Sequence, residues 1–275
     1  MEKSVKEILF ENNFGFKKKF GQNFITDKNL LESIVSLAEV GAEDTVIEIG
    51  CGAGTLTRAL AGAAKKVIAY EIDTTLQPVL SQTLAGLENV EVVFRDFLKV
   101  DLKQVEADLN GYKVVANLPY YITTPLIMKL VEQSEKCESL TVMVQEEVAQ
   151  RLCAKENTPE YGAITAAVAL RAEAKIVKKV PRTAFTPRPN VDSAVVNLKI
   201  EDGRLPVKDT EIYKKVVRAA FLSRRKTLVN NLMVSFGLTR TETEEVLESV
   251  GIDLKARGET LSPKEFASLS DALTK

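Results

Sequence analysis

Three groups of residues in the first half of the chain have types and spacings from which chemistry can be built. The first is Glu48-Ile49-Gly50-Cys51-Gly52-Ala53-Gly54, a glycine-rich turn between a β-branched run and a helical stretch beginning near Thr55. Glycines there let the backbone approach a ligand closely at the carboxyl end of a strand. The second is a pair of carboxylates with apolar neighbours: Glu71 beside Ile72, 21 positions after Gly50, and Asp96 beside Phe97. A carboxylate at the first place can accept both ribose hydroxyls of a nucleoside. A carboxylate and an aromatic at the second suit the amino group and ring of adenine. The third is Asn117-Leu118-Pro119-Tyr120-Tyr121, which joins an amide, a proline-fixed backbone and an aromatic.

A glycine loop alone is shared by many nucleotide enzymes. The dinucleotide fingerprint wants a further glycine where Thr55 stands, so a pyrophosphate is not expected. The pocket reads as one for a nucleoside without a pyrophosphate, which S-adenosylmethionine (SAM) fits better than NAD. Bland readings exist for each part: Gly50 and Gly52 as a tight turn, Glu71 as a solvated strand end, Asp96 as a helix N-cap, Cys51 as a small filler. Together they point to a site. The third group meets the requirement for methylating an exocyclic amine, whose lone pair is delocalised into the ring. Acceptors aimed at the amine hydrogens, the Asn117 side-chain oxygen and a carbonyl held by Pro119, favour a pyramidal nitrogen. Tyr120 can stack on the extruded base. An Asn-Pro turn after a buried strand is the plain alternative.

Composition narrows the chemistry further. The chain has no histidine, which excludes a His-based triad and every His-containing zinc site. Its three cysteines, Cys51, Cys137 and Cys153, show no Cys-x-x-Cys pairing, so neither a disulfide framework nor a metal site is expected. With 37 Lys+Arg against 38 Asp+Glu, 45% hydrophobic and 27% charged residues, the composition is that of a globular protein. No apolar run reaches the ~18 residues of a membrane span. Met1 to Glu7 is too acidic and broken in hydrophobicity for a targeting segment, so the expected location is the cytoplasm.

The elements that must position these residues form an alternating series. Val46–Ile49, Val67–Tyr70, Val90–Phe94, Val114–Ala116 and Leu140–Val144 read as strands. They are spaced by about two dozen residues, the length of a strand and its crossover helix. Asp27 is the expected N-cap of a helix carrying Leu30, Leu31, Ile34, Val35 and Ala38, with Gly41 as its terminator. Ala174–Val180 and Ala194–Ile200 read as two further strands, joined through a rigid, extended Phe185-Thr186-Pro187-Arg188-Pro189. After Ile200 the texture turns helical. Thr241-x-x-Glu244 and Ser262-Pro263-Lys264-Glu265 read as capping boxes, and a domain boundary is expected near residue 202.

Five segments then occur in the order found in one family: Phe20–Ile25, Val46–Gly54, Asn117–Tyr120, Phe185–Val195 and Phe221–Thr227. Along essentially its whole length the chain resembles the KsgA/RsmA family of small-subunit (16S) ribosomal RNA adenine N6,N6-dimethyltransferases. The resemblance implies an α/β fold, in which a Rossmann-like seven-stranded SAM-dependent methyltransferase domain, residues 1–202, precedes a small all-helical RNA-binding domain, residues 203–275. It implies that two adjacent adenosines in the 3′-terminal hairpin loop of small-subunit rRNA each receive two methyl groups. Asn23, Ile25, Gly50, Gly52, Glu71, Ile72, Asp96, Phe97 and Asn117 would line the SAM site, with Glu71 on the ribose. Asn117, Leu118, Pro119 and Tyr120 would do the chemistry, with Phe185 facing Tyr120 across the target base. Cys51 stands where the family often has proline, and Tyr121 where a smaller polar residue is common.

Basic residues are unevenly spread despite the near-neutral charge. Lys17, Lys18 and Lys19 form one cluster flanked by Phe16 and Phe20. Lys214, Lys215, Arg218, Arg224, Arg225 and Lys226 form a second, and Lys175, Lys178, Lys179, Arg182 and Arg188 a third. Any one can be a solvated helix face; together they favour RNA. The expected partner is the small-subunit rRNA in a pre-30S particle, met by a monomer without metal or membrane. The rival functions are a large-subunit rRNA adenine methyltransferase of the macrolide-resistance type and a non-catalytic assembly or transcription factor on the same fold. An NAD(P)-dependent oxidoreductase is a distant third.

Overall fold

The computed structural model describes residues 5–12, 14–15 and 22–274. In chain order the elements are α1 (Val5–Glu11), β1 (Phe24–Ile25), α2 (Lys28–Leu37), β2 (Thr45–Ile49), α3 (Thr55–Ala61) and β3 (Lys66–Glu71). Then come α4 (Gln77–Thr83), β4 (Val90–Phe94), α5 (Leu102–Glu106), β5 (Tyr112–Asn117), α6 (Thr123–Gln133), β6 (Cys137–Gln145) and α7 (Glu146–Leu152). The chain continues through α8 (Ala163–Ala169), β7 (Ala172–Val180), β8 (Phe185–Thr186) and β9 (Ser193–Ile200). It ends in α9 (Thr210–Ala220), α10 (Leu228–Phe236), α11 (Arg240–Ser249) and α12 (Pro263–Leu273).

Two compact units result: Met1–Ala149 with Lys175–Ile200, and Gln150–Ala174 with Glu201–Lys275. The first is built on a seven-stranded sheet of order β4-β3-β2-β5-β6-β9-β7. The β4-β3-β2-β5-β6 part is parallel, and β9 runs antiparallel to β6. Parallel strands covered on both faces need continuous apolar runs. Val46, Ile47, Val67, Val114 and Val115 are accordingly fully buried. The chain leaves β2 toward β3 and β4, then returns to place β5 on the other side of β2. That reversal opens a crevice at the carboxyl ends of β2 and β5, where open α/β sheets bind ligands.

Local signals account for the helix boundaries. The Asp27 carboxylate accepts the backbone N–H groups of Asn29 and Leu30, starting α2 as expected. The helix stops earlier than Gly41, with Ala38 as C-cap and Glu39 at φ +52° reversing the chain. A separate two-residue ladder joins β1 to β8, with Phe24 opposite Thr186 and Ile25 opposite Phe185.

In the second unit, Tyr161, Tyr213, Leu232, Leu247 and Phe266 share one core. The composition change near residue 202 marks only one of the chain crossings between units. Residues 150–174 also belong with the helices, because Ala166 and Leu170 are buried in that core. The Tyr161 hydroxyl donates to the Leu261 carbonyl and the Tyr213 hydroxyl to the Ala166 carbonyl, both at 2.8 Å. The sheet unit is therefore discontinuous in sequence, unlike the expected 1–202 block. The Ser262–Glu265 capping box opens α12 as read from the sequence. The other box is Thr239–Glu242, not Thr241–Glu244: Gly237 ends α10 in the left-handed region, so the next helix starts two residues sooner.

Candidate active site

A cavity of about 220 Å³ opens at the crevice between the carboxyl ends of β2, β3, β4 and β5. Its floor is the glycine loop. Gly50 and Gly52 have φ of +76° and +55°, and a Cβ on Gly52 would lie 2.7 Å from the Phe24 ring. Both a left-handed backbone and a close approach therefore require glycine there. Gly50 and Cys51 donate their N–H groups to the Tyr70 carbonyl, at 2.8 and 3.2 Å, tying the loop to β3.

Glu71, at the end of β3, is 6% exposed and organises the wall beside this floor. One carboxylate oxygen accepts the Gly52 N–H at 2.8 Å; the other accepts those of Ile72 and Asp73, each at 2.8 Å. Burial pushes its carboxyl above the usual range while these three donors pull it down. The oxygen with a single donor keeps a lone pair for a ribose hydroxyl. Asp96 caps the short turn after β4 by accepting the Leu98 N–H, and it also lines the cavity, so the N-cap and binding readings are compatible. Phe97 is held edge-on against Tyr70 with centroids 4.9 Å apart.

The opposite wall is the Asn117–Tyr120 segment. The Asn117 side-chain N–H donates to the Asn23 carbonyl at 2.9 Å, and its side-chain oxygen has no partner among the described residues. The Pro119 carbonyl is already taken by the Ile122 N–H and the Thr123 hydroxyl. The Leu118 carbonyl, which forms the peptide bond to Pro119, has no partner among the described residues. Tyr120 shares a hydrogen bond of 3.0 Å with the Ser193 hydroxyl, which fixes the ring, and burial pushes its phenol up.

A strap that the sequence reading did not identify joins the two walls. Gln22 donates to the Asp73 carboxylate at 2.9 Å, and the next residue, Asn23, receives Asn117. The only sequence signal for it was the second acid in Glu71-Ile72-Asp73. Glu48 was also missed as a site residue. It lines the cavity at 1% exposure with one carboxylate oxygen lacking a partner among the described residues, and burial pushes its carboxyl up to about 8. Burial, then the Glu48 and Glu71 carboxylates, push the Cys51 thiol up as well, which disfavours a thiolate and suits a filler role.

The cavity thus brings together Asn23, Ile25, Gly50, Gly52, Glu71, Ile72, Asp96, Phe97, Asn117, Leu118, Pro119 and Tyr120. Phe185 is not among its walls. Expected to face Tyr120, it is 5% exposed and packed in the core with Ile25, Met143 and Val195, because its ladder with Ile25 turns it inward.

The basic residues are also differently disposed from the expectation. Lys17, Lys18 and Lys19 lie outside the described residues. Arg224, Arg225 and Lys226 are in the loop between α9 and α10, not on a helix. The buried Asn231 amide donates to the Ala220 and Ser223 carbonyls and ends α9 there. All three are exposed, and Arg224 donates to the Pro159 and Tyr161 carbonyls. In the third cluster Lys179 pairs with Glu146 and Arg182 with Asp192.

Replacing Glu71 by alanine should weaken SAM binding by about 1.5–3 kcal/mol, the usual worth of hydrogen bonds to a charged acceptor. The sequence alone gives no reason for a fold effect, but three backbone N–H groups lose their acceptor, so Tm should fall as well. Calorimetry on the folded variant checks the first part and thermal melting the second. Unchanged SAM affinity would remove the ribose assignment.

The sequence model of ribosomal RNA adenine dimethylases matches residues 13–275. The chain is 49% identical over 277 residues to ribosomal RNA small subunit methyltransferase A of Geobacillus thermodenitrificans (strain NG80-2), covering 98% of this chain and 94% of that protein. It is 46% identical over 274 residues to the protein of the same name from Clostridioides difficile (strain 630), covering 98% and 95%. Among solved structures, a dimethyladenosine transferase from Plasmodium falciparum superposes with a TM-score of 0.77 at 26% identity, over 90% of this chain and 95% of that one. The 23S rRNA methyltransferase ErmE gives 0.71 at 29% identity, over 91% and 99%. The chain belongs to the ribosomal RNA adenine dimethylase family.

Proposed function

We propose that this protein uses SAM to place two methyl groups on N6 of each of two adjacent adenosines in the 3′-terminal hairpin loop of small-subunit rRNA. It would act in the cytoplasm on a pre-30S particle, as a monomer. The observation that carries the reading is the Asn117 amide, which lines the cavity, is anchored through its nitrogen and has a side-chain oxygen without a partner among the described residues.

The cavity suits the cofactor on its own evidence. Glycines are required on its floor, a buried carboxylate with a spare lone pair stands on one side, and an apolar strip of Ile72 and Phe97 accompanies the acids. SAM, when bound, supplies an electrophilic methyl group on a sulfonium. The protein's own residues must make a poor nucleophile better. The Asn117 oxygen and the Leu118 carbonyl accept the hydrogens of the adenine amine, which disfavours its planar, conjugated form. Tyr120, held by Ser193, offers the ring face on which an extruded base stacks. Such acceptors localise the lone pair without removing a proton, and alkylation itself makes the amine acidic enough to release one. A chain with no histidine is compatible with that chemistry.

Higher identity to the small-subunit enzymes, 46–49%, than to ErmE, 29%, favours the small subunit over the large one. Nucleoside analysis by mass spectrometry after transfer of labelled methyl tests the chemistry. N6,N6-dimethyladenosine is the expected product; methylation at any other base or atom would overturn it.

RNA affinity should depend on Arg225 and Lys226. Changing both to alanine should weaken rRNA binding and reduce the salt slope by about 2, with SAM affinity retained. Arg224 is left in place because it holds the Tyr161 carbonyl. Titrations at several salt concentrations check this; an unchanged slope would mark the loop as solvated surface.

A further inference from the structure

Two of the large apolar side chains exposed on this protein sit on the lips of the same cavity. Ile72, 45% exposed, follows β3, and Tyr121, 57% exposed, follows β5. Since β3 and β5 flank β2 in the sheet, the glycine loop lies between these lips as the floor. Neither side chain is used by the core. Apolar surface exposed at the mouth of a cleft is surface that a ligand can cover.

Tyr121 lines this cavity together with Asp96 and Glu71. Burial pushes its phenol up, and the Asp96 and Glu71 carboxylates, in that order, add to the effect. These are the acids at the ends of β4 and β3, in the part of the cavity read as the nucleoside's. Tyr120, one residue earlier, feels Ser193 and Asp192 instead, from the side of β9. Tyr120 is thus tethered to Ser193 at the start of β9, whereas Tyr121 is exposed at the mouth of the cavity that Asp96 and Glu71 also line.

We propose that Tyr121 and Ile72 close over the purine ring of the cofactor's nucleoside, so that Tyr121 is a cofactor-binding residue and Tyr120 serves the target base. A purine presents two flat faces, and an aliphatic lip opposite an aromatic one matches them, with the acids left for the ribose and the ring amine. This rests on the reading of the cavity as the SAM site.

Calorimetry with S-adenosylhomocysteine and with 5′-methylthioadenosine, which lacks the amino-acid tail, tests the assignment. Tyr121→Ala should weaken both ligands by about tenfold, the scale of one stacking contact. Tyr121→Phe should restore both to within about twofold, and an rRNA hairpin should bind all three proteins equally. Unchanged affinity for both nucleosides overturns the proposal. Weakened S-adenosylhomocysteine with unchanged methylthioadenosine would place Tyr121 on the tail, and weakened hairpin alone would place it on the RNA; both overturn it. If the unaltered protein bound neither nucleoside, the SAM reading itself would fall, and the proposal with it.

Discussion

Replacing Asn117 by alanine lowers single-turnover methylation by about 10²–10³-fold at saturating SAM and RNA, by analogy with the loss of one preorganised group that acts on developing charge. The Asn117 oxygen gains most when the adenine nitrogen becomes pyramidal, so its removal falls on the rate. RNA affinity, dominated by phosphate contacts, should barely change. SAM affinity should drop modestly, because the variant also releases the Asn23 carbonyl and loosens the strap between Asp73 and β5. Asn117→Asp separates these effects: it retains an acceptor but sets a carboxylate against the Asn23 carbonyl. Rapid-quench measurement of methyl transfer checks the prediction. A near-wild-type rate for the alanine variant would reduce this segment to a turn.

Replacing Glu48 by glutamine should flatten the dependence of stability on pH between about 5 and 8. Glu48 is fully buried on β2; burial, opposed by Thr57 and reinforced by the Glu71 carboxylate, moves its carboxyl from 4.5 to about 8. Below pH 4.5 both folded and unfolded forms carry the proton. Between 4.5 and about 8 the unfolded chain ionises while the folded protein does not, so stability falls as pH rises. Above about 8 both are ionised and the loss is complete, at as much as ~5 kcal/mol from the displacement of the carboxyl alone. Glutamine keeps the shape and cannot ionise. The readout is the slope of unfolding free energy against pH, which is insensitive to any constant cost of the buried amide. Parallel curves for the two proteins would mean that Glu48 is already ionised in the fold at neutral pH.

Much of this site is legible before folding is considered. Strand ends are where acids such as Glu71 and Asp96 interrupt β-branched runs, and the runs themselves are long enough to identify. Glu48 was opaque for the same reason: one acid within Val46-Ile47-Glu48-Ile49 reads as alternation, and only burial of both sheet faces makes it a trapped carboxyl. The β1–β8 ladder was opaque because two residues on each side carry no periodicity. That ladder in turn buries Phe185, which its motif alone would leave at the base. The basic run Arg224–Lys226 sits at the end of a convincing helical pattern, and a tertiary contact from Asn231 decides where that helix stops.

The measurement closest to the central claim is transfer of labelled methyl from SAM to ribosomal particles. Small-subunit particles lacking the modification should accept it at two adjacent adenosines in the 3′-terminal hairpin loop, up to four methyl groups per particle. Large-subunit particles should accept none. Dimethyladenosine found only in large-subunit rRNA, or no transfer to either particle by a protein that binds SAM, would contradict the account.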